Sequence, residues 1–268
     1  MRPIDRLLGV MAALRDPERG CPWDREQTFA TIVPYTIEEA YEVADAIEHG
    51  DKAVLLDELG DLLFQVVFYA QMGRENGDFD FDAIAEAAAT KMVSRHPHVF
   101  GGAQVADTHA QLKAWEATKA TERDAKADGR RASVLDGVAR TLPPMTRAVK
   151  LQKRAARVGF DWDDLADVLA KIDEEIGEIR HEIDTGAEVD RLEDEMGDVL
   201  FACVNLARKL NIDPEAALRR SNGKFDRRFR HIETALAKDG RTPDQATLAE
   251  MEELWSAAKA GERANKGG

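Results

Sequence analysis

A chain of 268 residues, 44% of them hydrophobic, can pack one large domain or two ordinary ones and does not read as a disordered polymer. Its formal net charge of -14 argues against a surface built for a phosphate backbone, because nucleic-acid affinity rests on clustered Lys and Arg. No direct nucleic-acid binding is expected, and an anionic substrate would need local cations or bound metal. The two cysteines, Cys21 and Cys203, do not make a disulfide framework, so a reducing, cytoplasmic location is expected.

The first apolar stretch, "LLGVMAAL" (7–14), has the length of a signal-peptide core, but Asp5 precedes it, Arg15 and Asp16 follow, and no small-residue cleavage site appears. A signal peptide is therefore not expected. From there most of the chain repeats its apolar residues at helical period and is rich in Ala, Leu, Glu, Lys and Arg, which predicts an all-α fold. The longest apolar run, "LLFQVVFYA" (62–70), is too short to span a bilayer and contains Gln65, so no membrane partner is expected. Near the middle, "ATKATERDAKADGRRAS" (117–133) carries no apolar stripe and reads as a linker. The expected division is a first helical domain over 1–118, a charged linker over 119–133 and a second helical domain over 134–268.

The two halves repeat each other at a period far too long for a solenoid, which marks a duplicated domain. "ELGDLLFQVVFYAQ" (58–71) aligns with "EMGDVLFACVNLAR" (195–208) at half of its positions. Upstream, "IEEAYEVADAIEHG" (37–50) aligns without a gap with "DEEIGEIRHEIDTG" (173–186), matching Glu38 to Glu174, Glu39 to Glu175, Glu42 to Glu178 and Gly50 to Gly186. Trp23 and Asp24 match Trp162 and Asp163. Lys91, Arg95 and Trp115 match Lys224, Arg228 and Trp255. The expectation is two tandem helical bundles.

Glu39 and Glu42 are one i,i+3 step apart, as are Glu58 and Asp61, so each pair shares a helix face. Gly50 and Asp51 read as the C-terminal cap of one helix and the N-cap of the next, closing an antiparallel hairpin in which the two pairs can converge. Glu175, Glu178, Glu195 and Asp198 repeat the arrangement. A solvated acidic face is the alternative, but these acids run into a helix that is apolar almost all round, where carboxylates need partners. Gly60 and Gly197 recur between the acids at a cost of about 1 kcal/mol each relative to Ala, which predicts a close approach there.

Clustered carboxylate oxygens suit a hard divalent ion, Mg2+ or as a substitute Mn2+, and such a site suits a phosphate-bearing substrate. Lys224 and Arg228 lie one i,i+4 step apart on a face fit for a polyphosphate, and Lys91 with Arg95 repeats it; an exposed basic face is the alternative. Trp115 and Trp255 either stack on a base or seal a core. His96 and His98 flank Pro97, but the second half does not repeat them, which argues against a paired-His metal site.

The blocks "GCPWDREQTFATIVPYTIEEAYE", "ELGDLLFQVVFYAQM", "RHPHVFGG", "LQKRAARVGFDW" and "EMGDVLFACVNLARKLNIDPEAAL" make the chain resemble the tandem-domain MazG nucleoside triphosphate pyrophosphohydrolases over nearly its whole length. The resemblance implies all-α bundles assembled as a homodimer. It also implies Mg-dependent hydrolysis of NTPs or dNTPs to the monophosphate and pyrophosphate, with broad base specificity and a housecleaning role in the nucleotide pool. Carried onto this chain, it makes Glu175, Glu178, Glu195 and Asp198 the metal ligands and catalytic acids. Glu174 becomes a supporting acid on the substrate side, Lys224 and Arg228 hold phosphates, and Trp255 lies beside the nucleotide. Glu39, Glu42, Glu58, Asp61, Lys91, Arg95 and Trp115 form a second candidate site, although the resemblance favours the C-terminal one. One departure is Gly177, which stands where the first half has Tyr41.

Two rival classes follow from the same residues. Glu178 and His181 form an E-x-x-H pair of the ferritin-like di-iron kind, but that fold needs two such motifs and Asp45 stands at the position matching His181. A non-catalytic helical scaffold that binds a nucleotide or a partner is the alternative for at least the N-terminal half.

Overall fold

The computed structural model describes residues 1–102, 107, 111, 114, 115, 118, 121 and 133–264. Every regular element among them is helical, as the sequence period predicts. The chain divides into two compact units, Met1–Ala120 and Thr121–Gly268. Most of the linker expected over 119–133 lies outside the described residues.

The first unit contains α1 (Pro3–Leu14), α2 (Pro22–Glu26), α3 (Phe29–His49), α4 (Lys52–Asn76), α5 (Phe81–Arg95) and α6 (Pro97–Phe100). Helices α3 and α4 form the expected hairpin. Gly50 takes the left-handed conformation (φ 75°) that a Cβ opposes, and the Asp51 side chain accepts hydrogen bonds from the backbone N–H groups of Ala53 (2.9 Å) and Val54 (3.3 Å). The stretch that looked like a signal core lies in α1, where Met11 is fully buried and Leu7 and Leu8 pack beside it. Met11, Ile32, Val67, Phe68 and Met72 make the core, and Phe29 stacks on Tyr69 at 6.0 Å. Arg15, at the end of α1, clamps α4 through Glu75 (2.6 Å) and donates to the carbonyls of Asp24 and Gln27.

The second unit repeats this plan with α7 (Pro144–Ala156), α8 (Leu165–Thr185), α9 (Val189–Lys209), α10 (Pro214–Lys238) and α11 (Leu248–Ala264), with a 3-10 turn at Pro243–Gln245. Its hairpin turns at Gly186 (φ 69°) and is one residue longer, with Asp164 capping α8 and Asp213 capping α10 through their carboxylates. Helix α7 packs on α9 as α1 packs on α4. Here Arg208 pairs with Asp161 (2.5 Å), tying α9 to the segment after α7.

The interiors differ. Alignment sets Phe68 of α4 opposite Asn205 of α9, and Gln65 opposite Ala202. Among the described residues, the buried apolar side chains of the second unit, such as Val168, Ala202, Val204, Ile232 and Leu236, include none as large as Phe. Among the described residues no helix is long and apolar enough to cross a membrane.

Candidate active site

Each hairpin brings acids from both of its helices together. In the first unit, ligand atoms of Glu39, Glu42 and Glu58 lie within 4.8 Å of one another, and in the second those of Glu175, Glu195 and Asp198 do the same. The fourth acid of each set stands beside its cluster: Asp61 raises the pKa of Glu39 and Glu58, and Glu178 hydrogen-bonds to Glu175. The i,i+3 spacing on facing helices thus produces the predicted convergence.

The electrostatics of the two clusters are unlike. In the first unit, burial pushes Glu39 above the ordinary carboxylate range, and Asp61 and Glu42 push it further. The Gln65 amide donates to Glu39 Oε1 at 3.4 Å, which partly offsets the rise. Glu58 is raised by burial and then by Glu42. In the second unit two cations enter. Lys171 Nζ lies 2.8 Å from Glu175 Oε1 and 2.9 Å from Glu174 Oε1, and Arg191 pairs with Glu182 at 2.5 Å and reaches Glu195 at 3.8 Å. These acids hold the Lys171 ammonium above its ordinary pKa, Glu175 first. Glu178 is raised, chiefly by its hydrogen bond to Glu175.

The donor set fits a hard divalent cation. Glu175 is 5% exposed and its Oε2 is buried without a hydrogen-bond partner, an expensive state for a carboxylate oxygen unless a cation meets it. All the converging atoms are oxygens, as Mg2+ or Mn2+ prefers. The close approach expected at Gly60 and Gly197 is not made within the described chain: a Cβ at either would meet nothing within 4 Å.

The predicted phosphate and base residues form units of their own. Arg228 Nη2 lies 2.7 Å from Glu262, and its guanidinium lies over the Trp255 ring at 5.4 Å, with Phe225 against the other partner at 5.4 Å from Trp255. Lys224 is exposed on the same helix. In the first unit the Trp115 indole N–H donates to the Arg95 carbonyl at 2.8 Å, and His96 meets the ring edge-on at 5.0 Å. Lys91 is exposed one turn earlier. Both tryptophans therefore dock on the helix that carries the basic pair.

Sequence reasoning passed over Lys171 and Arg191. Each stands four residues before a cluster acid, Glu175 and Glu195, and that spacing is the signal that finds them. It also passed over Gln152 and Asn205, both buried; Asn205 interrupts an otherwise apolar run, "FACVNLA" (201–207).

Two tandem helical hairpins, each opposing E-x-x-E to E-x-x-D, define an all-α protein of the nucleotide pyrophosphohydrolase fold class. The chain belongs to the MazG family: the profile of the MazG nucleotide pyrophosphohydrolase domain matches it twice, over residues 27–100 and 164–233. It is 52% identical over 261 residues to the nucleoside triphosphate pyrophosphohydrolase of Escherichia coli K12, spanning 97% of this chain and 98% of that one. It is 40% identical to the nucleoside triphosphate pyrophosphohydrolase/pyrophosphatase MazG of Thermotoga maritima, over 97% and 96% of the two chains. The nucleoside triphosphate pyrophosphohydrolase of Mycolicibacterium smegmatis is 34% identical over 59% of this chain and 48% of its own.

Proposed function

We propose that this chain hydrolyses nucleoside triphosphates, NTP and dNTP, to the monophosphate and pyrophosphate at the carboxylate cluster of its second unit. The observation that carries the reading is the convergence of Glu175, Glu195 and Asp198 with a buried, unpartnered Glu175 oxygen. The family membership and the names of the full-length relatives agree with it.

Glu175, Glu178, Glu195 and Asp198 would hold Mg2+, with Mn2+ a substitute. When bound, the ion supplies positive charge that offsets the polyphosphate and the departing pyrophosphate. The chain supplies the rest. Lys224 and Arg228 bind phosphate oxygens, and Arg228 is pre-oriented for that task by Glu262 and Trp255. Lys171 and Glu174 position the Glu175 carboxylate. A water attacks the α-phosphorus in line, and its proton passes to Glu175 or Glu178, the two acids that share one face of α8.

Assembly as a homodimer is supported by an apolar stripe on α9 beside the acids, where Val189, Met196 and Leu200 are half to three-quarters exposed. The acidic composition supports a protein without nucleic-acid partners, the two free cysteines suit a cytoplasmic location, and membership of the MazG family suggests broad base tolerance and a housecleaning role in the nucleotide pool. For the first unit a second reading has its own support: Glu39, Glu42 and Glu58 converge, but Phe68 is packed in the core where the second unit has Asn205 beside a cavity, which suits a non-catalytic scaffold that binds a nucleotide or a partner.

The test is incubation with each NTP and dNTP, with Mg2+ and with excess chelator, and separation of the products. Monophosphate plus pyrophosphate only with Mg2+ is expected. Diphosphate plus orthophosphate, or no turnover, overturns the proposal.

A further inference from the structure

The second unit carries nitrogen cations of its own into the acid cluster, and the first does not. Lys171 Nζ lies 2.8 Å from Glu175 Oε1, and Arg191 reaches Glu195 at 3.8 Å. The aligned positions of the first unit hold Tyr35 and Val54, which bring no charge. Ligand atoms of Glu39, Glu42 and Glu58 lie within 4.8 Å of one another, yet among the described residues no Lys or Arg pairs with any of the three.

A buried amide stands at the same cluster. Gln65 is 7% exposed, and its Nε2 donates to Glu39 Oε1 at 3.4 Å, which holds the side chain against the acids. Its Oε1 is buried without a hydrogen-bond partner, a state that is unfavourable until a donor meets it. The aligned residue of the second unit is Ala202, so this acceptor belongs to the first unit alone. An ammonium has three N–H donors, enough to serve two carboxylates and Gln65 Oε1 together.

Beside the acids lies an aromatic surface open to solvent. Tyr35 stands one turn before Glu39 on α3 and meets Trp23 edge-on at 5.6 Å, and the two residues are 38% and 48% exposed. A hydrated Mg2+ keeps its waters and gains little from such rings, whereas an alkylammonium presents its charge to them and lays its methylenes along them.

We propose that the first unit binds an aliphatic di- or polyamine, with one ammonium among Glu39, Glu42 and Glu58 and hydrogen-bonded to Gln65 Oε1, and with the methylene stem against Tyr35 and Trp23. The ligand fills from solution the place that Lys171 fills from within the second unit. Three carboxylates outnumber one ammonium, which favours a ligand with more than one charge. These acids are separate from those assigned to hydrolysis, so the amine site does not depend on the hydrolase reading.

The test is calorimetric titration of the full chain, free of divalent ions, with spermidine. Tyr35→Lys places the second unit's own cation at an exposed position and should weaken binding by about tenfold or more, the worth of a charge-assisted hydrogen bond. Tyr35→Ala removes the ring without adding charge and should weaken binding about threefold. General attraction of a polycation to an acidic surface is told apart because Tyr35→Lys alters a net charge of -14 by a single unit. Equal affinity in the wild type and Tyr35→Lys therefore overturns the proposal. Mg2+ uptake that is lost in Glu42→Gln, with no heat from spermidine in the wild type, also overturns it and gives the cluster to a metal ion.

Discussion

In the first unit Glu39 meets other acids and the Gln65 amide, whereas in the second Lys171 and Arg191 lie among the acids. The equivalent first-unit positions are Tyr35 and Val54. Interior packing follows the same divide, with Phe68 filling the space that Asn205 leaves beside a cavity. One duplicated hairpin has thus kept its ligand geometry while its surroundings diverged in charge and in volume. The comparison teaches that a carboxylate constellation is a scaffold for chemistry, and that the neighbours it is given decide whether a substrate can be seated on it.

The comparison breaks most readily at the acids. Glu178→Ala or Asp198→Ala should lower pyrophosphate release by about a thousandfold or more with helical circular dichroism intact, while Glu42→Ala or Asp61→Ala leaves it within about threefold. Equal silencing by either pair would place both units in the reaction. Phe68→Asn, which gives the first unit the second unit's residue, removes a fully buried ring and inserts an amide without partners; urea unfolding should show a loss of about 3–5 kcal/mol.

A smaller effect is expected at the clamp of the first unit. Arg15 is 9% exposed and holds Glu75 below the ordinary carboxylate range, so Glu75→Gln should cost about 2 kcal/mol by leaving a buried guanidinium underpaired. Because the folded pKa is depressed, the pair's stabilisation is present above the unfolded value and is lost as pH falls through the folded one; the variant and wild-type melting curves should draw together as pH falls below the ordinary glutamate range. Least is expected from Arg191→Val. The Arg191 side chain is 62% exposed, so stability should move by under ~1 kcal/mol, while the Mg2+ concentration for half-maximal activity falls about threefold once a competing cation is gone.

Much of this architecture was legible before any coordinates. The hairpin followed from Gly50 and Asp51, whose backbone and side-chain roles are local, and the convergence of acids followed from i,i+3 spacing on two antiparallel helices. What was not legible depended on packing between segments distant in sequence. Gln152 and Phe201 are 49 residues apart, and no local pattern reveals that an amide from α7 would be spent on a carbonyl of α9. The same holds for Arg208 with Asp161, 47 residues away. The glycines misled in a definite way: helix propensity identified Gly60 and Gly197 as costly, but the space beside them is open rather than crowded.

That open space has a kinetic consequence. A helix interrupted by Gly in mid-course loses about 1 kcal/mol of local stability relative to Ala, so the turn carrying the acids should open before the turns that flank it. Backbone amides at 60–62 and 197–199 should exchange with deuterium faster than their neighbours in the ion-free chain and slow on addition of Mg2+. The two glycines then act as a compliance in the backbone, letting rigid carboxylates re-aim by small local fluctuations while the rest of each bundle stays closed.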